Sequence, residues 1–168
     1  MEIRKAARNA PVIGLYLGAI VAANLLAARF GPSITVVNAF LFIGLDITAR
    51  DRLHEVWHGN RLVLKMALLV IAGSLLSWVI NKDAKQIAMA SAVAFGLAAI
   101  TDTIVYSMLY SKEWFTKVNG SNIASAIVDS IAFPTLAFGG FMPLITLGQA
   151  VAKIAGGGLW SLILRRDK

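Results

Sequence analysis

The stretch QIAMASAVAFGLAAITDTIVYSM, at residues 86–108, carries a single charged side chain, Asp102, in a run of apolar and small residues. About 20 residues of this kind cross the hydrocarbon core of a bilayer as an α-helix. Backbone polar groups in lipid must bond to one another, and the run lacks the alternation of a barrel strand, so we predict a transmembrane helix. A carboxylate within such a helix is energetically unfavourable and marks a candidate functional site.

The rest of the chain has the same character. Of its 168 residues, 58% are hydrophobic, and the mean hydropathy is +0.72, which is too apolar for a soluble domain of this length. We therefore predict an all-α integral membrane protein, a compact six-helix transmembrane bundle that forms a single domain over residues 1–168. The predicted spans are Ala10–Ala28, Ser33–Ile47, Leu62–Ile80, Gln86–Met108, Ile123–Phe141 and Leu144–Leu164. The second is short, about 22 Å at 1.5 Å per residue, and either continues towards Leu53 or enters only part of the membrane.

Basic residues set the expected orientation, because cytoplasmic loops carry an excess of Lys and Arg. With the N-terminus inside, the cytoplasmic segments hold Arg4, Lys5, Arg8, Arg50, Arg52, Arg61, Lys65, Lys112, Lys117, Arg165, Arg166 and Lys168. The outside keeps Arg29, Lys82 and Lys85. We predict that both termini are cytoplasmic in a multi-pass protein of a prokaryotic plasma (inner) membrane.

The charge and the composition also exclude some classes of partner. The net charge is +7, but the basic residues lie at the ends of the predicted spans and form no basic face. We therefore expect no nucleic-acid partner. The chain has no cysteine, which excludes a disulfide framework and a thiolate metal site. We expect no cofactor.

Two stretches read almost alike, Ala99-Ile-Thr-Asp-Thr-Ile-Val-Tyr106 and Ala126-Ile-Val-Asp-Ser-Ile-Ala-Phe133. Asp102 lies six residues before the end of the fourth span, and Asp129 lies six residues after the start of the fifth. Both carboxylates are thus expected about 9 Å from the cytoplasmic boundary at 1.5 Å per residue. We expect them to flank one cavity.

Lys153 lies near the middle of the sixth span, too deep to reach the interface easily, and needs a carboxylate partner. The candidates are Asp46, Asp102 and Asp129. The alternative to a substrate role is an ion pair that only joins helices, although buried pairs add little net stability. We favour a substrate role because one lysine cannot neutralise all three carboxylates. Further hydrogen-bonding groups, which suit interhelical contacts equally well, are Asn24, Asn38 and Gln149.

Helix-breaking residues follow both buried charges. We predict that Pro134 breaks the fifth helix, that Gly139-Gly140 loosens its outer end, and that Gly156-Gly157-Gly158 loosens the sixth. Proline and glycine are frequent in membrane spans, so a packing explanation comes first, but transporter binding sites also use such interrupted helices.

The segment His54-Glu55-Val-Trp-His58 matches H-E-x-x-H, in which two histidines on one helical face hold Zn²⁺ beside a glutamate base. The preceding segment is strongly basic, and Gly59 ends the helix before a local third ligand. We prefer an amphipathic cytoplasmic helix and keep an intramembrane zinc hydrolase as the second alternative function.

Three segments resemble the queuosine-precursor transporter family, also called the vitamin-uptake transporter or VUT family. They are Gly44–Glu55, Asp102-Thr103 and, most specifically, Ser121–Pro134. The resemblance implies a six-helix membrane protein that imports deazaguanine bases used to make queuosine in tRNA. It also implies a fold similar to the substrate-binding subunits of vitamin transporters that work with an energising ATPase.

The residues suit this chemistry, because a guanine-like base presents a ring N–H beside an exocyclic NH₂, which a carboxylate accepts in bidentate fashion. We therefore predict a transporter and not an enzyme, with a small nucleobase-like substrate; the first alternative is a substrate-capture subunit with a separate ATPase partner. The predicted substrate-binding residues are Asp102, Thr103, Asn122, Ser125, Asp129, Ser130 and Lys153, with Tyr106, Phe133 and Phe138 as an aromatic wall.

Overall fold

The computed structural model describes residues 2–43, 45, 53 and 62–163. Within these ranges every regular element is helical, which confirms the predicted all-α fold. The helices are α1 (Glu2–Phe30), α2 (Ile34–Asn38), α3 (Leu62–Ile80), α4 (Lys85–Met108), α5 (Trp114–Phe138) and α6 (Pro143–Ile163). A π-helical turn at Ala39–Ile43 continues α2, and a short 3₁₀ turn at Lys82–Ala84 precedes α4.

Large apolar side chains face outward and small ones face inward. Leu64, Leu68, Ile71 and Leu75 of α3 are all exposed, at successive turns of one helical face. The buried core is instead rich in alanine, as at Ala19, Ala23, Ala27, Ala90, Ala94 and Ala98. Lipid provides no hydrophobic drive to bury leucine, and small residues let helix backbones approach closely, so this arrangement is typical of a membrane bundle.

Among the described residues, three helical stretches are long and apolar enough to cross a membrane: Ala10–Phe30, Lys82–Met108 and Asn119–Phe138. Ile34–Ile43 and Leu64–Ile80 are shorter apolar helices. The predicted second span, Ser33–Ile47, extends past the described part at its C-terminal end, so its short length stays a prediction.

Helices α4 and α5 form an antiparallel hairpin, closed by a tight turn at residues 109–113, and they contact each other more extensively than any other pair of helices in the described ranges. Helix α5 packs on α6 as well, and α1 packs against α3. The prediction that Pro134 breaks α5 is wrong: the helix runs through it and ends at Gly139, whose φ of 78° is left-handed. Pro134 removes only one backbone donor, and the rest of the hydrogen-bond ladder carries the helix past it.

Helices α2 and α6 run in the same direction and touch along glycines. A Cβ atom added at Gly148 would lie 3.0 Å from Val36 Cγ2, and one added at Gly156 would lie 2.3 Å from the carbonyl oxygen of Phe40. The glycines of α6 therefore allow α2 and the π-helical turn to pack closely against α6. They do not interrupt α6, which is continuous from Pro143 to Ile163, so the predicted loosening is not observed there.

Candidate functional site

Lys153 is the centre of a buried polar network. Its side chain is only 3% exposed and pairs with the carboxylate of Asp129. The ammonium also donates to Ser130 Oγ at 2.9 Å. Of the three candidate partners, the structure places Asp129 on the lysine, because α5 and α6 pack side by side at this level. Asp46 lies outside the described residues.

The network continues from Lys153 to the short helix α2. Lys153 donates at 3.5 Å to Gln149 Oε1, and Gln149 Nε2 donates at 2.7 Å to Thr35 Oγ1. Thr35 Oγ1 in turn donates to the carbonyl oxygen of Pro32. Five side chains, Asp129, Ser130, Lys153, Gln149 and Thr35, thus link α5, α6 and α2 within the bundle. Thr35 is absent from the sequence-based prediction because a threonine in the first turn of a helix reads as a local cap.

Asp102 lies apart from this network on the interior face of α4. Ala98 and Ala94, one and two turns earlier on the same face, are buried. Asp102 Oδ1 is buried and has no hydrogen-bond partner in the part of the chain that the structure describes. A buried carboxylate oxygen left without a donor is unfavourable unless a ligand, an ion or water supplies one.

Two contacts between α4 and α5 bound the relative levels of the two carboxylates. Gln86 Nε2 reaches the carbonyl oxygen of Leu136 at 3.4 Å, and a Cβ atom at Gly120 would meet Leu109. In an antiparallel pair these contacts place Asp102 opposite residues 120–127, so Asp129 lies about 3 to 13 Å farther from the turn at 1.5 Å per residue. The lower end of this range is less than one helical turn, so the common level of the two carboxylates stays a prediction.

Asn122 and Ser125 of α5 fall within the segment opposite Asp102. Ser125 is buried and Asn122 half-buried. Ser125 Oγ donates at 3.1 Å to the carbonyl oxygen of Asn122. These two predicted residues thus share a level with Asp102, whereas Ser130 joins Asp129 and Lys153.

Thr103 takes part in neither group. It is exposed, and its hydroxyl donates at 2.9 Å to the carbonyl oxygen of Ala99 in the preceding turn. The neighbouring Ala99, Ile100 and Ile104 are exposed as well, so Thr103 lies on the outer surface of α4.

The three predicted aromatic residues do not form one wall. Phe133 and Phe138 pack edge to face, with ring centroids 6.3 Å apart, against a cluster that includes Ile87 and Ala137. Tyr106 is half-buried near the other end of the hairpin, one turn beyond Asp102. It alone of the three is close in sequence to the unpartnered carboxylate.

Asn38 is a further buried polar residue. It is 3% exposed, and its Nδ2 donates at 3.0 Å to the carbonyl oxygen of Ala23 on α1. Its Oδ1 is buried and accepts no hydrogen bond within the described residues. The second interhelical amide, Asn24, donates at 3.1 Å to Ser77 Oγ.

The predicted zinc ligands His54 and His58 lie outside the described residues. Within the described ranges, no group of three His, Cys, Asp or Glu side chains is placed to hold a metal ion.

Comparison with known proteins supplies the family. A family model described as "Putative vitamin uptake transporter" matches residues 4–163. Comparison with curated proteins and with solved structures gives no match. The matched range includes Asp102, Asp129, Lys153 and all six helices except the first two residues of α1. The chain therefore belongs to the vitamin uptake transporter family.

Proposed function

We propose that this transporter imports a queuosine precursor, a deazaguanine-type base, and binds it within the bundle beside Asp102. The observation that carries the proposal is the buried oxygen Oδ1 of Asp102, to which no described residue donates a hydrogen bond. The family match adds that the protein is a transporter of small molecules. A deazaguanine base presents adjacent donors, a ring N–H and an exocyclic NH₂, that one carboxylate accepts together.

The remaining polar groups at this level suit the same ligand. Asn122 and Ser125 lie opposite Asp102, and an amide or a hydroxyl donates to the ring carbonyl of such a base. Tyr106 is half-buried one turn along α4, and in this proposal its ring packs beside the flat base. Thr103 has no part in this site, because it lies on the outer surface.

Asp129 and Lys153 act as positioning residues in this proposal. Their charges neutralise each other, and Lys153 already donates to Ser130 and Gln149. The pair joins α5 to α6 and so fixes the α5 face that carries Asn122 and Ser125 towards Asp102.

The expected setting is a prokaryotic plasma membrane, with both termini in the cytoplasm. This rests on the excess of Lys and Arg in the segments assigned to the inside. The chain contains no Walker-type phosphate loop, so any ATP hydrolysis must come from another protein.

Uptake by the purified protein in proteoliposomes tests the proposal. We expect labelled 7-deazaguanine to enter vesicles that contain the wild-type protein, and Asp102→Asn to reduce uptake about 10-fold or more, as for a lost charge-assisted hydrogen bond. Thr103→Val is the matched control next to Asp102 and should retain wild-type uptake.

Two results bear on the alternatives. Uptake only after addition of an ATPase module would identify a substrate-capture subunit and leave the substrate unchanged. Absence of binding and of uptake for deazaguanine bases, by a folded protein, would contradict the proposed substrate.

A further inference from the structure

Building on the proposed function, we infer that Asn38 is a second substrate contact, which accepts the hydrogen bond of the five-membered-ring N–H of the base. This contact would make the transporter selective for the free base over its nucleoside, in which that nitrogen carries the sugar and has no hydrogen.

The orientation of the Asn38 amide is fixed by the protein. Its Nδ2 donates to the carbonyl oxygen of Ala23, and a flipped amide would set two acceptor oxygens against each other. The side chain therefore presents Oδ1 away from Ala23. Because Asn38 is only 3% exposed, this oxygen has no bulk water to compensate it, and no described group donates to it.

The backbone at Asn38 is unusual as well. Asn38 is the last residue of α2, and the π-helical turn Ala39–Ile43 begins directly after it. Single π-helical turns within helices are rare and occur frequently at functional sites. The turn is held in place by its close approach to Gly156.

Asn38 is also at a suitable level relative to Asp102. Val36 lies against Gly148 and Phe40 against Gly156, so Asn38 is level with Ala152 and Lys153. Because Lys153 pairs with Asp129, the offset between Asn38 and Asp102 along the bundle is the same, about 3 to 13 Å.

A deazaguanine base has donors at two separate places. The ring N–H and exocyclic NH₂ of the six-membered ring form one edge, and the N–H of the five-membered ring lies on the other ring. A fused bicyclic base with a hydrogen bond of about 2.9 Å at either end reaches roughly 10 Å. The inference therefore requires that the Asp102 carboxylate and the Asn38 amide oxygen face each other across about this distance.

The test compares 7-deazaguanine with its 9-methyl derivative, which lacks the five-membered-ring N–H, as competitors of labelled 7-deazaguanine uptake. The wild-type protein should prefer the unmethylated base. Asn38→Leu should raise the inhibition constant of 7-deazaguanine about 2- to 12-fold, the range of one neutral hydrogen bond. The inhibition constant of the 9-methyl derivative should not change. The ratio between the two inhibition constants should therefore fall towards one.

Asn24→Leu is the matched control, because it also removes a buried interhelical amide, the donor to Ser77. It should lower thermal stability without changing the ratio. A wild-type ratio in folded Asn38→Leu overturns the inference while the proposed function stands. Equal competition by the two bases with the wild-type protein also overturns it, even if Asn38→Leu does not fold. If the wild-type protein does not take up deazaguanine bases at all, the proposed function itself is wrong.

Discussion

Lys153 on α6 and Asp129 on α5 form a direct ion pair inside the helical bundle, with the lysine side chain 3% exposed and the aspartate 24% exposed. Asp102, in an almost identical sequence context on α4, has no such partner among the described residues. The two similar motifs therefore occupy different electrostatic environments. One carboxylate is neutralised by the protein, and the other retains a buried oxygen without a donor.

The ion pair predicts a characteristic mutational cycle. Lys153→Met leaves the Asp129 carboxylate without its cation, and we expect a loss of about 1 to 3 kcal/mol, less than for a fully buried pair because Asp129 is partly exposed. The double variant Lys153→Met/Asp129→Asn removes both charges and should recover part of this loss. Thermal unfolding of the purified variants in detergent measures the coupling.

The same double variant separates a positioning role from direct substrate contact. If Asp129 and Lys153 only hold α5 against α6, the double variant should retain most 7-deazaguanine uptake. If the double variant folds with near wild-type stability and has lost uptake as completely as Asp102→Asn, then the pair contacts the substrate and the positioning role is wrong.

The contact between Gly156 and the π-helical turn predicts intolerance to a single methyl group. Gly156→Ala places a Cβ atom 2.3 Å from the carbonyl oxygen of Phe40, and backbone must move to accommodate it. We expect a loss of about 1 to 3 kcal/mol, with reduced uptake. Gly96→Ala is the control, since a Cβ atom there meets nothing within 4 Å. Equal thermal stability of the two variants would show that α2 does not pack closely on α6.

The orientation is directly testable because the chain has no native cysteine. Asp83 in the 3₁₀ turn precedes α4, and Ser111 in the α4–α5 turn follows it. Both residues are exposed, and they lie at opposite ends of α4. A membrane-impermeant maleimide should label Asp83→Cys in intact cells and label Ser111→Cys only after permeabilisation. The reverse pattern would place the N-terminus outside.

The class of fold follows from the sequence because it depends on long apolar segments, such as residues 86–108, that satisfy their own backbone hydrogen bonds. The family match likewise supports the prediction of a transporter and not an enzyme. Local detail was less predictable. A proline was expected to end α5 near Pro134, but loss of one backbone donor does not stop a helix whose neighbours hold it on both sides.

The site was predicted only in part, because side-chain partners depend on helix register. The sequence identified Lys153 and three candidate carboxylates, and the packing of α5 on α6 selected Asp129. Counting from span ends predicts the same depth for Asp102 and Asp129, but hydropathy locates the edge of an apolar segment and not the register between helices, so the depth does not identify their partners. The exposed position of Thr103 was not predictable for a similar reason, because the sequence does not show which face of α4 turns inward.

The most direct test of the central claim, that Asp102 reads the donor edge of the base, is ligand affinity of the purified protein by calorimetry. The two ligands are 7-deazaguanine and 7-deazahypoxanthine, which lacks the exocyclic NH₂. We expect the wild-type protein to prefer 7-deazaguanine about 10-fold or more, and Asp102→Asn to lose both that affinity and that preference. If Asp102→Asn binds both ligands with wild-type Kd values, Asp102 does not contact the base and the account is contradicted.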